Sequence, residues 1–363
     1  MDAPGATGAR PAHAVHVLGG ATMGTLWQAS VSAPAGVDLH AIHDGIQACL
    51  DRVVAQMSTW ERESDISRYN RAPAGSWQAL PQPFFDVLRD ALAIAADSAG
   101  ACDPTVGPLV EAWGFGAGGN GGRVPDAGTL AAARARVGWR RVELDVEGQR
   151  ALQPGGVGLD LSGIAKGHGV DAVVDWLRAR GVPAALVEVG GELRGYGRKP
   201  DGSAWKVLAE AWPEEEPDLP GGHHGGGGGP DGYGAGGRDA DDARGEGIVA
   251  DRRTQPPCIV VLDDAAVATS GDHWHRFEHD GRLYSHTIEP RSGAPVDHAP
   301  AAVTVVAERA LAADAWATAL TVLGADEGYA LAEARDIAAR FVVRTADGVQ
   351  ERCTAAFQRW LVQ

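Results

Sequence analysis

Cysteine and lysine are scarce in this chain of 363 residues, and it has no long hydrophobic run. The four cysteines form no CxxC pair, which excludes a zinc ribbon or thioredoxin-type site and predicts free thiols. No stretch of 18 apolar residues occurs, so the sequence predicts no membrane span. Residues 1–20 lack a basic start followed by an apolar core, and no cysteine is placed for a lipid anchor. We therefore expect a cytoplasmic protein, or a periplasmic one if the sequence is a trimmed form.

Acidic residues outnumber basic ones, and the formal net charge is −16. This balance argues against binding to nucleic acid or to an anionic membrane. Half of this charge lies in residues 212–251, which hold ten acidic residues, two arginines and 13 glycines. Such a composition cannot bury enough apolar surface to offset its chain entropy, so residues 212–256 are predicted to be a disordered loop insertion. We predict a flexible N-terminus over residues 1–14 and a single domain over residues 15–363.

Helical and strand patterns follow each other irregularly along the chain. Hydrophobic periodicity predicts helices over residues 40–56, 83–100, 126–137, 166–181, 310–323 and 327–335. Strands are predicted at residues 15–18, 25–31, 141–145, 156–160, 184–189, 205–211, 301–307, 338–344 and 357–361. Two further hairpins are predicted, joining 258–262 to 266–269 and 277–279 to 283–287. The absence of regular βαβ alternation favours an α+β class with mixed, largely antiparallel sheets and flanking helices.

A glycine-rich turn, DLSGIAKGHG at residues 160–169, leads from a predicted strand into a helix. Small residues let the backbone approach an oxygen-rich ligand, and the free N–H groups of a helix start favour anions. Lys166 adds a positive charge there. The turn matches neither a Walker A motif nor GxGxxG, so its pattern alone leaves open ligand binding or helix packing.

Asp314 and Thr318 stand four residues apart in ADAWAT, which places both oxygens on one face of a helix. The surrounding residues are mostly apolar, so the carboxylate needs a partner. A hard cation such as Mg²⁺ takes carboxylate, hydroxyl and carbonyl oxygens. Spacing alone leaves open a second interpretation, in which Asp314 caps the helix and Thr318 bonds back to its own turn.

Two further segments have patterns that suit a site but also fit ordinary packing. His286 follows a predicted hairpin, where a histidine is suited to act as a general base near neutral pH. The chain has twelve histidines, so a single one carries little weight. The stretch DPTVGPLVEAWGFG at residues 103–116 is either part of a site or an aromatic-anchored turn on the core.

Taken together, nine segments occur in an order that resembles the ApbE family of flavin transferases. They are MGT, MSTW, SDISRYN, DPTVGPLVEAWGFG, DLSGIAKGHGVD, VGGELRGYG, ATSGD, SHTIEPRSG and ADAWATAL. The resemblance runs from about Thr22 to Gly328 and is interrupted by the glycine-rich insertion. It implies an ApbE-like (T-fold-like) architecture.

The resemblance implies an enzyme that uses Mg²⁺ and takes FAD as its substrate. Members transfer FMN from FAD to a Ser/Thr hydroxyl of a target flavoprotein through a phosphoester bond and release AMP. The expected partner is an acceptor subunit of a redox complex that carries a Ser/Thr flavinylation motif. Two alternatives stay open: a Mg²⁺-dependent FAD pyrophosphatase giving FMN and AMP, and a non-catalytic FAD-binding protein.

The resemblance also implies roles for individual residues. Metal ligands fall on Asp314, Thr318 and the backbone carbonyl of Gly163, and the general base falls on His286. FAD contacts fall on Met23, Trp60, Asp103, Thr105, Lys166 and Ile288. Two positions depart from the family pattern, because Trp60 stands where tyrosine is frequent and Glu289 where aspartate is usual.

Overall fold

The structure, a computed structural model, describes residues 13–119, 122–209, 258–271, 276–297, 302–345 and 348–361. The predicted insertion at residues 212–256 lies outside the described residues, as does nearly all of the predicted flexible N-terminus at 1–14. The division of the chain into these segments and a single domain stays a prediction. Within the described part of the chain, no helix has the length and apolar character needed to cross a membrane.

Helices and strands are interleaved along the chain. The helices are α1 (Leu39–Met57), α2 (Asp65–Asn70), α3 (Gln82–Asp97), α4 (Gly107–Ala112), α5 (Ala127–Arg134), α6 (Ser162–Ala179), α7 (Ala310–Ala334) and α8 (Ala355–Gln358). The strands of the first half are β1 (His13–Thr22), β2 (Thr25–Pro34), β3 (Ser76–Ala79), β4 (Leu144–Asp145), β5 (Arg150–Gln153), β6 (Ala184–Val189), β7 (Glu192–Tyr196) and β8 (Trp205–Leu208). Those of the second half are β9 (Ile259–Leu262), β10 (Ala265–Gly271), β11 (Arg276–His279), β12 (Arg282–Ser285), β13 (Ile288–Glu289), β14 (Ala294–Pro295), β15 (Ala302–Ala307), β16 (Ala338–Thr345) and β17 (Gly348–Cys353).

An eight-stranded sheet forms the centre of the fold, in the order β1-β2-β6-β7-β10-β15-β16-β17. Every neighbouring pair in it is antiparallel. Helices α1, α6 and α7 pack on one face, where the apolar stripe of α1 (Ile42, Ile46, Leu50) meets that of α6 (Val170, Val173, Val174). These findings confirm the α+β class with antiparallel sheets and flanking helices.

The opposite face of the sheet is covered by a strand pair and a short helix. β8 pairs with β9 in antiparallel register, from Trp205 opposite Leu262 to Leu208 opposite Ile259. Trp205 and Phe357 of α8 are buried with them. Because β8 and β9 precede and follow residues 209–258, this pair holds both ends of that stretch together.

Several predicted elements have different bounds or partners in the structure. Residues 258–262 do not form a hairpin with 266–269: β9 pairs with β8, whereas β10 lies between β7 and β15. The side chains of residues 265–268 are all buried, which is the pattern of a strand in the middle of a sheet with both faces covered. The turn residues Asp263 and Asp264 suggested a hairpin, but a local turn pattern does not show that β10 must be covered on both faces.

Two further predictions were wrong in detail. Residues 156–160 form only one isolated bridge, from Val106 to Gly158, and not a strand. The predicted strand at 357–361 is also absent: residues 357–358 belong to helix α8, which starts where the hydroxyl of Thr354 accepts from the amide of Phe357, and only Leu361 forms an isolated bridge, to Val260.

The two helices predicted at 310–323 and 327–335 are present as the two parts of α7. They are separated at Gly324, whose φ of 81° and ψ of 179° are not helical.

Candidate active site

The start of α6 and the first turns of α7 lie against each other and bring three predicted residues together. The amide of Gly167 donates to Oδ2 of Asp314 over 2.9 Å. A Cβ built on Gly163 would lie 3.0 Å from Oγ1 of Thr318, so the hydroxyl of Thr318 faces the Gly163 backbone. The structure therefore brings Asp314, Thr318 and Gly163 to one place, as the family resemblance implied, and their role as metal ligands stays a prediction.

Lys166 lies beside this group and is held by an acid that the sequence did not single out. Its Nζ donates to Oε1 of Glu192 at the start of β7, over 2.5 Å. Burial lowers the pKa of Lys166, but the carboxylates of Asp314 and Glu192 outweigh it, and the net shift is upward. Lys166 therefore keeps its positive charge here.

Two buried carboxylates share this single ammonium. Burial raises the pKa of Asp314, against the effect of Lys166 and of the hydrogen bond from Gly167. Burial and the charge of Asp314, opposed by Lys166, together raise the pKa of Glu192 to about 8. Oε2 of Glu192 is buried and has no hydrogen-bond partner. The group thus places two acids beside one ammonium, and the raised pKa values mean that a further positive charge there would favour the ionised form of both.

These residues fit a hard divalent cation. A buried carboxylate with one oxygen bonded to an amide and a hydroxyl facing a glycine backbone are oxygen donors of the kind that Mg²⁺ takes. Across the described ranges, no cluster of three or more His, Cys, Asp or Glu side chains is placed to hold a metal ion. A cation at Asp314 would therefore depend on hydroxyl and backbone oxygens as well as the carboxylate.

The β1–β2 turn brings Met23 against α6. Met23 and Gly24 occupy both turn positions with φ 48° and 72°, the signature of a two-residue type I′ hairpin. A methionine at positive φ is strained, and such strain is concentrated at functional sites. The terminal methyl of Met23 lies against Gly169 of α6, 3.1 Å from where a Cβ would stand.

Asp103 and Thr105 are buried, and both side chains accept hydrogen bonds from backbone amides. Oδ1 of Asp103 accepts from the amide and hydroxyl of Thr105, and its Oδ2 accepts from the amide of Trp139. The hydroxyl of Thr105 accepts from the amide of Gly138 over 2.7 Å. The two side chains therefore fix the 138–139 turn, and a contact of either with FAD stays a prediction.

Cys102 links this turn to Asp314. Burial and, to a smaller extent, the nearby carboxylates of Asp314 and Asp103 together raise the pKa of its thiol to about 12. In addition, the amide of Asp160 donates to the carbonyl of Pro104 over 2.8 Å. The DPT segment thus packs directly against the strand-like stretch that leads into α6.

His286 and Ile288 belong to a second group, built on the β11–β12 hairpin. The ring of His286 lies edge-on to that of Phe115 with centroids 6.5 Å apart, and Phe115 contacts Phe277 at 5.4 Å. Ile288 is buried with Leu109 and Trp113. The aromatic end of the DPTVGPLVEAWGFG stretch therefore packs against the hairpin that precedes His286, and a role of the stretch in a site stays a prediction.

Trp60 stands apart from both groups. It follows α1 in the loop before α2, its indole is 67% exposed, and its amide donates to Oγ of Ser58. An exposed tryptophan on an ordered loop is available for stacking on a flat ring. Its assignment as a flavin or adenine contact stays a prediction.

Sequence reasoning missed Glu192, Gly167 and Asp171 as members of the site. Glu192 stands in VGGELRGYG, and the other two in DLSGIAKGHGVD, so the segments were noted but not the residues' roles. The signal that identifies them is a contact between distant parts of the chain. Gly167 and Asp314 are 147 residues apart.

Comparisons with known protein sequences all point to the ApbE family. A sequence model described as the ApbE family matches residues 23–223 and 229–341. A protein of Vibrio cholerae named FAD:protein FMN transferase is 34% identical over 354 residues, covering 97% of this chain and 94% of that protein. One of Klebsiella pneumoniae with the same name is 30% identical over 98% of this chain and 92% of its own length.

Solved structures show the same likeness. The apo form of the flavinyl transferase ApbE of Pseudomonas stutzeri superposes with a TM-score of 0.79 at 37% identity, covering 96% of this chain and 97% of that one. The flavin transferase ApbE of Vibrio cholerae gives the same TM-score at 30% identity and is covered completely. A family match over most of the chain and relatives of at least 30% identity along nearly their whole length show that this chain belongs to the ApbE family.

Proposed function

We propose that this protein is a FAD:protein FMN transferase, which moves FMN from FAD to a Ser/Thr hydroxyl of a target flavoprotein and releases AMP. The observation that carries the proposal is the juxtaposition of Asp314, Thr318 and Gly163 beside Lys166, in a chain of the ApbE family. A carrier that only stores FAD has no need of a buried, cation-demanding carboxylate. The expected acceptor is a flavoprotein subunit of a redox complex with a Ser/Thr flavinylation motif.

Asp314, Thr318 and the carbonyl of Gly163 would hold Mg²⁺. When bound, this ion neutralises pyrophosphate charge and polarises the phosphorus for in-line attack. The ammonium of Lys166, fixed by Glu192, adds positive potential at the same place.

The transfer balances without a further reagent. The acceptor hydroxyl oxygen bonds to the phosphorus of the FMN half, the bond from that phosphorus to the bridging oxygen breaks, and AMP leaves with that oxygen. His286 accepts the hydroxyl proton, since a neutral imidazole is a suitable base near neutral pH. Phe115 and the hairpin aromatics hold the ring.

FAD contacts are proposed at Met23, Trp60, Asp103, Thr105, Lys166 and Ile288. They act in two ways. Trp60 and Lys166 are exposed enough to touch the ligand, by stacking and by charge. Asp103, Thr105 and Ile288 are buried, so we propose that they shape the protein surface against which FAD binds.

One experiment separates transfer from its two alternatives. The full chain is incubated with FAD, Mg²⁺ and a candidate acceptor subunit, and AMP and the acceptor mass are measured. AMP together with an acceptor heavier by one FMN supports transfer. AMP with FMN free in solution, across acceptors with and without the motif, indicates the pyrophosphatase, and bound FAD without AMP indicates a binding protein.

His286→Ala tests the assigned base. We expect loss of transfer by at least about 100-fold, the lower range for positioned acid–base groups, while FAD still binds. His279→Ala is the matched control, because His279 lies on the same hairpin with its side chain 40% exposed. Transfer by the His286→Ala variant at the wild-type rate would refute this role.

A further inference from the structure

Asp171 is a buried acid on α6, one turn beyond Gly167, that the proposed reaction does not use. Its Oδ1 accepts from the amide of Ala310 over 3.0 Å, and its Oδ2 accepts from the amide of Leu311 over 3.1 Å. These are the first amides of α7, whose own N-cap residue, Arg309, provides no side-chain cap. Asp171 therefore supplies, from another helix, the acceptors and the negative charge that a helix start requires.

Two arginines hold the Asp171 carboxylate in place. Nη1 of Arg194, on β7, lies 2.7 Å from Oδ1, and Nε of Arg309 lies 3.5 Å from Oδ2. Asp171 is 2% exposed, and Arg194 is nearly as buried. The cap is thus tied to the central sheet through β7, the strand that also carries Glu192.

A second hydrogen bond of opposite direction runs between the same two helices. Asp171 of α6 accepts from amides of α7, and Asp314 of α7 accepts from the amide of Gly167 of α6. The paired positions are about one helical turn apart on each helix. A Cβ on Gly167 would stand only 2.3 Å from the carbonyl oxygen of Ala310, so the backbones are as close as glycine permits.

From this reciprocal arrangement we propose that Asp171 is a positioning residue for the cation site. By anchoring the first turn of α7, it sets the rotation and the rise of that helix, and so brings Asp314 and Thr318 to face Gly163. The inference rests on the proposed function, since it concerns the same cation site. Partners outside the direct ligand set typically affect metal affinity 10–100-fold.

The test is direct binding of Mn²⁺ alone, as a probe for Mg²⁺, to the full chain by calorimetry. Asp171→Asn keeps the shape of the side chain, but its amide nitrogen faces a backbone N–H and one cap is lost. We expect Mn²⁺ affinity to fall at least about 10-fold. We also expect the AMP-forming rate to need correspondingly more Mg²⁺ and to recover when Mg²⁺ is raised.

A matched control separates positioning from a general loss of stability. Glu351→Gln disturbs the other buried arginine pair, Arg340–Glu351, which joins β16 to β17. It should lower the melting temperature without changing Mn²⁺ affinity. If the wild-type chain does not bind Mn²⁺, the cation site of the proposed function is wrong. If it binds and Asp171→Asn binds equally well, the positioning role is wrong.

A second variant decides the matter if Asp171→Asn does not fold. Arg194→Lys keeps the positive charge but replaces the rigid guanidinium fork by a point charge, so the Asp171 carboxylate loses the fixed orientation in which it caps α7. Weaker Mn²⁺ binding at unchanged circular dichroism supports the positioning role. Unchanged affinity in this variant overturns it.

Discussion

The carboxylate of Asp314 accepts the amide hydrogen of Gly167 over 2.9 Å, so that a buried charge on one helix is satisfied by the backbone of another. One oxygen is thereby committed, and burial raises the pKa of the Asp314 carboxyl although Lys166 and the Gly167 amide favour its ionised form. A buried carboxylate of this kind lowers the stability of the folded protein when no cation is bound, and it provides a ligand when one is.

Asp314→Asn should therefore separate stability from activity. The amide keeps an oxygen for Gly167 and removes a buried charge, so the melting temperature in EDTA should stay equal to or rise above the wild-type value. Transfer and Mn²⁺ binding should be lost. Asp326→Asn, on the same helix but fully exposed, is the control and should change neither. A destabilised Asp314→Asn protein that still transfers FMN would contradict our interpretation.

Gly167→Ala should push α6 and α7 apart. The added methyl would meet the carbonyl of Ala310 at 2.3 Å and Cα of Leu311 at 2.8 Å. Both are backbone atoms that cannot move aside, so we expect a loss of about 1–3 kcal/mol in the free energy of unfolding. We also expect weaker Mn²⁺ binding by calorimetry.

Gly128→Ala provides the contrast for that measurement. It lies in the exposed helix α5, where the nearest atom to the new methyl is the side-chain oxygen of Asp126 at 3.1 Å. Alanine is the better helix former, so urea unfolding should show equal or greater stability. Equal behaviour of the two variants would refute the close packing of α6 on α7.

Glu192 should make the free energy of unfolding of the metal-free protein depend on pH. Its pKa is about 8 in the folded state against 4.5 ordinarily, so between these values the folded chain holds a proton that the unfolded chain has released. Unfolding then releases a proton, and the free energy of unfolding falls as the pH rises from about 4.5 to about 8. The slope is at most about 1.4 kcal/mol per pH unit for one group.

Glu192→Gln should flatten that slope. Urea unfolding in EDTA between pH 5 and pH 8 measures it, with Glu351→Gln as the control because the Glu351 carboxylate pairs with Arg340 and not with Lys166. A slope that is the same in wild type and Glu192→Gln would show that Glu192 ionises normally in the folded chain.

Trp60→Ala should weaken FAD binding without affecting the reaction at saturating FAD. Aromatic stacking contributes about 0.5–1.5 kcal/mol, which corresponds to an approximately 2–12-fold higher dissociation constant. Trp77→Ala is the matched control, since Trp77 is also exposed but lies on β3 with Arg150 over its ring. Flavin fluorescence titration measures both, and equal affinities in the two variants would remove Trp60 from the site.

Patterns of short range could be predicted from the sequence, and they include the residues with the strongest chemistry. The i, i+4 spacing of Asp314 and Thr318 placed both on one helix face, and the β1–β2 hairpin and the stripe of α6 appear as expected. These features depend on neighbours within one or two turns of chain, which is the range over which periodicity carries information.

Long-range relationships could not be predicted in the same way. The polar atoms of Asp103 and Thr105 are engaged by Gly138 and Trp139, more than thirty residues away. β9 pairs with β8 across residues 209–258, although a closer strand was available in sequence. In both cases burial of the partner surface decides the outcome, and burial depends on the whole fold.

The β8–β9 pair has a consequence for how this protein tolerates change. Because Leu208 and Ile259 are opposite each other in one register, the residues between them start and finish at a single point on the surface of the fold. Doubling the length of such a loop adds only about 0.6 kcal/mol of closure entropy. A reporter domain or an affinity tag can therefore be inserted between β8 and β9. This insertion site is remote in sequence from the residues that contact FAD in our proposal.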